Sequence, residues 1–212
     1  MFNLFKKKVY EGKPQAFIFI GRSGCGKGTQ VDFLTTTLTE KDNSRDLLHV
    51  ESGAFLREFV KKTKSYTQAK TKTVIESGLL TPESIVVYLW MNYLIKNFTG
   101  NENITFDGCP RKIDEAKMLT DAFRFYGIEK PTVIYVNVSE EWATERLLNR
   151  GDGRKDDTIE SIKNRMDYFG KEVMPVINYF KDNPYYNFVD INGEQSKEGV
   201  RQEILAKLGL NL

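Results

Sequence analysis

Cysteine and histidine are scarce in this chain of 212 residues, which holds two of the first, Cys25 and Cys109, and one of the second, His49. Two cysteines far apart in sequence cannot build a Cys-rich zinc site, and they do not make the framework of a disulfide-stapled domain. Without a histidine nearby, Cys109 lacks the base that a thiol nucleophile needs. It reads most simply as a small apolar residue, and His49, in another strand, reads as packed. Also missing is any apolar run near the ~20 residues that span a bilayer. The longest, Ile85 to Met91, reads as part of a buried helix. Neither sign of charge is in excess: 31 Lys and Arg stand against 29 Asp and Glu, a net charge of +2. Any basic patch must therefore be local, and no nucleic-acid-binding stripe is indicated. At the start, Phe2, Leu4 and Phe5 precede Lys6-Lys7-Lys8, the reverse of the order in a secretory signal. Two readings stand for it, a membrane-surface anchor and a plain tail before the first strand, the second being the simpler. Cytoplasmic residence is expected by default.

The length suits one domain with a core of its own. Five short segments rich in β-branched and aromatic residues read as buried parallel strands: Ala16–Ile20, Leu47–Val50, Ile104–Phe106, Thr132–Val138 and Phe188–Asp190. Helical patterns lie between them, an alternation that predicts a doubly wound α/β sheet. Thr81 is expected to cap a helix with Pro82 at its first position, running to about Phe98 and stopped by Gly100. Asp157-Thr158-Ile159-Glu160 reads as a capping box, followed by an apolar stripe of Ile159, Ile162, Met166 and Phe169. Lys41–Arg45 reads as a tolerant polar loop. Pro184 breaks the chain before the last strand, and Gly151-Asp152-Gly153 marks a turn inside an arginine-rich stretch, read as a small mobile lid.

The strongest chemical signal is Gly21-Arg22-Ser23-Gly24-Cys25-Gly26-Lys27-Gly28-Thr29-Gln30, between the first strand and a helical pattern. That is the setting of a phosphate-binding P-loop. Glycines let successive N–H groups point into one concavity, and the helix start adds its positive end. Lys27 can meet the β- and γ-phosphates, and the Thr29 hydroxyl can meet Mg²⁺ or a phosphate.

The spelling Gly-Lys-Gly-Thr-Gln, with Gly28 where Ser or Thr usually follows the lysine, resembles the adenylate kinases and related nucleoside monophosphate kinases. The resemblance extends from Gln15 to about Leu208. It implies a P-loop three-layer sandwich, a five-stranded parallel sheet flanked by helices, in a single domain over 1–212. A small acceptor-binding helical insert at about 51–80 and a short lid at about 150–165 are implied with it. Gly24, Cys25, Gly26, Lys27, Gly28 and Thr29 would then hold ATP phosphates.

On the acceptor side, Ser52-Gly53-Ala54-Phe55-Leu56-Arg57 resembles the family's Thr-Gly-Asp-Leu-Leu-Arg. By that match Ser52 lies near the acceptor base and Arg57 grips the acceptor phosphate, a task that suits a planar guanidinium. Gly78-Leu79-Leu80-Thr81-Pro82-Glu83 resembles the segment laid against that base, here with Leu79, Leu80 and Thr81. Asp107-Gly108-Cys109-Pro110-Arg111 resembles Asp-Gly-Phe-Pro-Arg. It implies Asp107 holding Mg²⁺ largely through water, together with Thr29, and Gly108 and Arg111 on the acceptor. Glu115 stands where the family commonly has a glutamine that pairs with adenine. An ionised carboxylate accepts but cannot donate to a ring nitrogen unless it is protonated.

Arg146, Arg150, Arg154 and Arg165 recur as phosphoryl transfer requires, with positive charge around the migrating oxygens and water kept out. By the resemblance Arg146 packs on the ATP adenine, and Arg150, Arg154 and Arg165 clamp phosphates. Arg154 and Arg165 also touch the acceptor, while Asp156 and Asp157 orient the arginines. Asn192-Gly193-Glu194-Gln195 resembles the loop whose backbone, at Gln195, would touch the ATP base. Lys27, Arg111, Arg150, Arg154 and Arg165 are the expected catalytic set. The expectation is ATP plus AMP giving two ADP, with Mg²⁺ as cofactor and no structural zinc. The partners would be ATP and a nucleoside monophosphate, with no nucleic acid and no membrane span, on a monomer. The rivals are a UMP, CMP or deoxynucleotide kinase, and a nucleotide-binding switch that has lost transfer.

Overall fold

The structure is a computed structural model that describes residues 13–41, 45–61, 64–149 and 158–210. Its five strands are β1 (Ala16–Ile20), β2 (Leu47–Glu51), β3 (Asn103–Asp107), β4 (Thr132–Asn137) and β5 (Asn187–Asn192). They form one parallel sheet in the order β2-β3-β1-β4-β5. The helices are α1 (Lys27–Lys41), α2 (Ser52–Lys61), α3 (Tyr66–Glu76), α4 (Glu83–Asn97), α5 (Ile113–Phe125), α6 (Glu140–Leu148), α7 (Ile159–Tyr168), α8 (Met174–Asp182) and α9 (Lys197–Lys207). The α/β sandwich and the five parallel strands are as expected. Strands β2, β3 and β5 run one to three residues past the predicted limits, because the polar residues at their ends also join the ladder, and β4 stops at Asn137, one residue short of Val138.

Alternation along β1 shows why the sheet needs helices on both faces. Ala16, Ile18 and Ile20 enter one core with Trp90 and Leu94 of α4, Leu119 and Phe123 of α5, and Ile177 and Phe180 of α8. Phe17 and Phe19 enter the other, with Val31 and Leu34 of α1, Leu147 of α6, Met166 of α7 and Ile204 of α9. A strand buried on both sides must be apolar throughout, as AFIFI is.

Several local expectations are corrected. The cap of α4 is Pro82, with no side-chain bond, so Thr81 is not its N-cap; it is buried beneath the start of the helix instead. The run 85–91 is not buried throughout: Trp90 is buried, while Tyr88 is 61 % exposed, because only one face of α4 meets the sheet. The cap of α7 is Thr158, whose side chain accepts from Ser161 N, one residue after the cap read at Asp157. Ile159 is exposed, and Ile162, Met166 and Phe169 carry the stripe without it. Arg45, placed in a tolerant loop by its polarity, is buried with Nη1 donating to Asn101 O. Lys41 of that loop is the last residue of α1; residues 42–44, the N-terminal segment through residue 12, and 150–157 with Arg150, Arg154, Asp156 and Asp157 lie outside the described residues.

Between β2 and α4, helices α2 and α3 project beside the sheet. The turn after α3 holds Gly78 at φ +70°, where a Cβ would come 2.7 Å from Ser161 Cα and O. Asn164 Nδ2 of α7 donates to Ser77 O at 2.9 Å in the same place. A glycine there lets the turn lie directly on the start of α7.

Candidate active site

The carboxyl ends of β1, β2 and β3 open on one cleft of ≈ 580 Å³, where open parallel sheets present their ligands. Its floor is the turn from β1 to α1. Gly24, at φ +89°, lies so close to α6 that a Cβ would come 2.5 Å from Ala143 O. The first turn of α1 carries no acidic residue, so its exposed N–H groups and positive end are left for an anion. Lys27 Nζ bends back over the loop, donating to Gly21 O at 2.9 Å and Arg22 O at 2.8 Å, with Cys25 Sγ at 3.4 Å. Arg22 turns away: its Nε donates to Val138 O at 3.2 Å and its guanidinium lies 4.1 Å over the Phe169 ring.

Asp107 ends β3, in register with Glu51 of β2. Its carboxylate lies on the first turn of α1, with Oδ2 3.7 Å from where a Gly28 Cβ would be. Burial pushes its carboxyl above the usual carboxylate range, partly offset by Lys27. Thr29 lines the cleft beside it. Among the described residues no group of three or more His, Cys, Asp or Glu could hold a metal ion alone.

Across the cleft, Ser52 Oγ donates to Gly108 O at 2.8 Å, so its lone pairs alone remain for a ligand. Arg57 Nη2 is held by Glu51 Oε1 at 2.7 Å. Arg111 is fixed at three points: its N donates to Glu115 Oε2 at 2.8 Å, its Nε to Gly108 O at 2.6 Å, and its Nη1 to Tyr168 OH at 3.0 Å. Glu115 is 3 % exposed, and its second oxygen, Oε1, is buried with no partner. Burial raises its carboxyl to about 7, against the pull of backbone N–H groups and Arg111. Leu79, Leu80 and Thr81 line the same cleft, Leu79 being 54 % exposed. An apolar rim beside a buried carboxyl with an idle oxygen can take a flat heterocycle that carries polar edges.

Arg146 and Arg165 also line the cleft. Arg146 lies over the Trp142 ring at 5.8 Å and reaches the phosphate loop beside Gly26. Two expected residues are not on the lining. Cys25 is buried beneath the loop, and Gln195 follows β5 with its side chain donating to Asn192 O at 2.8 Å and Glu203 Oε2 at 2.6 Å. His49, read as packed, bonds Thr105 through Nδ1 at 2.9 Å and borders the cleft. Cys109 is buried, as a small apolar residue should be. Sequence reasoning passed over Tyr168, Ser23 and Glu51. Tyr168 had a signal, since it lies three residues after Arg165 and thus on the same helical face. Glu51 and Ser23 had none beyond their neighbours.

Comparison with known proteins agrees with this geometry. A family model described as adenylate kinase matches residues 19–185. An adenylate kinase 1 of Nostoc sp. is 31 % identical over 192 residues, which cover 91 % of this chain and 97 % of that protein. An adenylate kinase of Porphyromonas gingivalis is 34 % identical over 175 residues, 81 % of this chain and 86 % of that one. An adenylate kinase of Encephalitozoon cuniculi is 32 % identical over 192 residues, 91 % of this chain and 97 % of that one.

Proposed function

Because the chain belongs to the adenylate kinase family, we infer that it is a phosphotransferase that moves a phosphoryl group from ATP to AMP, giving two ADP. The observation that carries the reading is one cleft lined by Lys27 and Asp107 on one side and by Arg111 and Glu115 on the other, with Glu115 Oε1 buried and unpartnered. A switch that only binds nucleotide needs the first pair and not the second.

In this reading Lys27 exchanges the Gly21 and Arg22 carbonyls for the β- and γ-phosphates of ATP, which also meet the N–H groups of 24–29. Arg111 keeps its bonds to Gly108 and Glu115 and turns its free N–H groups to the acceptor phosphate, while Arg57 leaves Glu51 to join it. Arg165 stabilises the charge that develops on the transferring group, and Arg146 covers the ATP base. Ser52 accepts from the acceptor and Glu115 Oε1 accepts from the adenine amino group, with Leu79, Leu80 and Thr81 against the ring. Residues 51–80 form the acceptor insert and about 150–165 the lid, to which Arg150 and Arg154 belong. Gln195 remains a backbone contact to the ATP base, supported only by its place after β5.

The donor set fits magnesium: the half-buried carboxylate of Asp107 and the hydroxyl of Thr29 are hard oxygen ligands, and Mg²⁺ takes few protein groups when phosphates and water complete its shell. When bound, the ion neutralises the donor phosphates. We take the protein to act as a monomer, and the free thiols Cys25 and Cys109 suit a reducing compartment such as the cytoplasm. Among the described residues no helix is long and apolar enough to cross a membrane.

The test is ADP formation from ATP with AMP, GMP, CMP, UMP and dTMP in turn. AMP should give the highest kcat/KM. A better rate with another monophosphate overturns the acceptor assignment, and no transfer to any of them overturns the transferase reading.

A further inference from the structure

Tyr168 occupies the point where the two phosphate sites meet. It is the last residue of α7, and the chain passes from it into a π-helical turn, Phe169–Val173. Such turns insert a residue into a helix and re-aim the side chains around them, often at functional sites. Here the turn puts Phe169 under the Arg22 guanidinium, while Tyr168, three residues after Arg165, faces the cleft. The phenol oxygen is 3.0 Å from Arg111 Nη1 and 3.5 Å from Ser23 Oγ. The Arg111 guanidinium, Arg165 and Lys27 together hold the Tyr168 hydroxyl below the usual range despite its burial.

The donor inventory fixes the direction of this chain of contacts at its Arg111 end. Arginine has only N–H donors, so the phenol oxygen accepts from Arg111. The hydroxyl keeps one hydrogen to give, and Ser23 Oγ is the acceptor within reach on its other side. Either hydroxyl can be the donor in that contact; with Tyr168 donating, the hydrogen of Ser23 is left for a ligand in the cleft it lines. At 3.5 Å the Tyr168–Ser23 contact is long, as such bonds often are before substrate arrives and tightens them.

We propose that Tyr168 is a positioning residue for transfer: its hydroxyl holds Arg111 to the acceptor phosphate and orients the Ser23 hydroxyl of the phosphate loop toward the donor, tying the two phosphate sites together. The proposal rests on the transfer reading above and adds two residues, Tyr168 and Ser23, to it. It also explains why Arg111, with Nε already spent on Gly108, needs a second anchor: one bond leaves a guanidinium free to swing in its plane, and two bonds fix it.

Tyr168→Phe keeps the ring and removes only the hydroxyl, and Ser23→Ala removes the other end. Both are compared with the wild type for kcat, for ATP and AMP binding isotherms and for melting temperature. The expected result for Tyr168→Phe is a kcat lower by roughly ten- to a hundredfold and AMP binding weakened by about tenfold, the size of a lost bond to a charged group. ATP binding falls less than AMP binding, and melting stays as in the wild type. Ser23→Ala should lower kcat as well, and the double variant should be no worse than Tyr168→Phe alone, since both break one chain. Wild-type kinetics and AMP affinity in Tyr168→Phe would overturn the proposal. So would losses that multiply in the double variant, or ATP binding and melting that fall together with AMP binding, as a packing role requires. Wild-type turnover of ATP plus AMP, measured alongside, tests the transfer reading separately. The AMP isotherms judge Tyr168 whatever that outcome.

Discussion

Replacing Glu115 by glutamine tests the most unusual group in the cleft. In the unfolded chain this carboxyl titrates near 4.5, and in the folded protein burial raises it to about 7. Between those values the folded state holds a proton that the unfolded state has released, so stability falls as pH rises through the interval. At ~1.4 kcal/mol per pH unit the full loss is roughly 3 kcal/mol. It is complete above pH 7 and absent below 4.5. Arg111 and its backbone N–H oppose the shift and Glu83 adds to it; none of these is altered by the substitution. Glu115→Gln keeps an oxygen for Arg111 N but cannot ionise, so this slope vanishes. Denaturant unfolding of both proteins between pH 5 and 8 should show the variant gaining about 2.5 kcal/mol on the wild type across that span, the part of the loss that lies above pH 5, whatever constant offset the amide introduces. AMP adds a second readout. A bond from the adenine amino group to Oε1 favours the ionised form, so AMP binding by the wild type should tighten as pH rises toward 8. The phosphate of AMP titrates in the same region, and Glu115→Gln, which shares that phosphate, removes its contribution by difference. If the stability difference between the two proteins is flat from pH 5 to 8, Glu115 is not held protonated by the fold and the argument fails.

Other substitutions follow from the same geometry. Lys27→Ala should abolish transfer and leave the melting temperature near that of the wild type; near-normal turnover in a folded variant contradicts its phosphate role. Arg165→Ala should cut kcat by ~10³–10⁵, the effect of an arginine on a transferring phosphoryl, far more than it weakens ATP binding by isotherm; a change confined to KM means uniform binding instead. Glu51→Gln releases Arg57 from a half-exposed pair whose strength is at most ~1 kcal/mol, so AMP should bind up to about fivefold tighter. Weaker AMP binding in that variant would show that Glu51 aims Arg57 rather than competing for it.

The parts of this site that could be read from sequence are those in which local chain chemistry carries the meaning. Gly21 to Thr29 follows an apolar strand and opens a helix, so its shape was given by its glycines and its setting. Asp107 was legible because it ends a strand, and Arg111 because Asp107-Gly108-Cys109-Pro110-Arg111 resembles a family motif. What was hidden depends on long-range contact. Tyr168 and Ser23 are 145 residues apart and become neighbours only when α7 closes on the phosphate loop. Arg45 looked like loop because its polarity outweighed a carbonyl partner that lies 56 residues onward. The cap of α4 moved from Thr81 to Pro82 because the preceding turn buries Thr81 against its neighbours, which no local propensity records.

The seat of Gly78 on Ser161 has a consequence for how the substrates influence each other. The turn after α3 belongs to the side of the cleft that would receive AMP, whereas α7 carries Arg165 and Tyr168 to the phosphates. With no room for even a Cβ between them and Asn164 bonded across the joint, neither can shift far unless the other follows or the joint parts. An acceptor that draws α3 inward therefore alters the free energy of α7, and a donor that draws α7 inward alters that of α3 by the same amount. Linkage of this kind is reciprocal by thermodynamic necessity: the factor by which ATP changes AMP affinity equals the factor by which AMP changes ATP affinity. The joint at Gly78 would in this way couple the affinities of the two substrates.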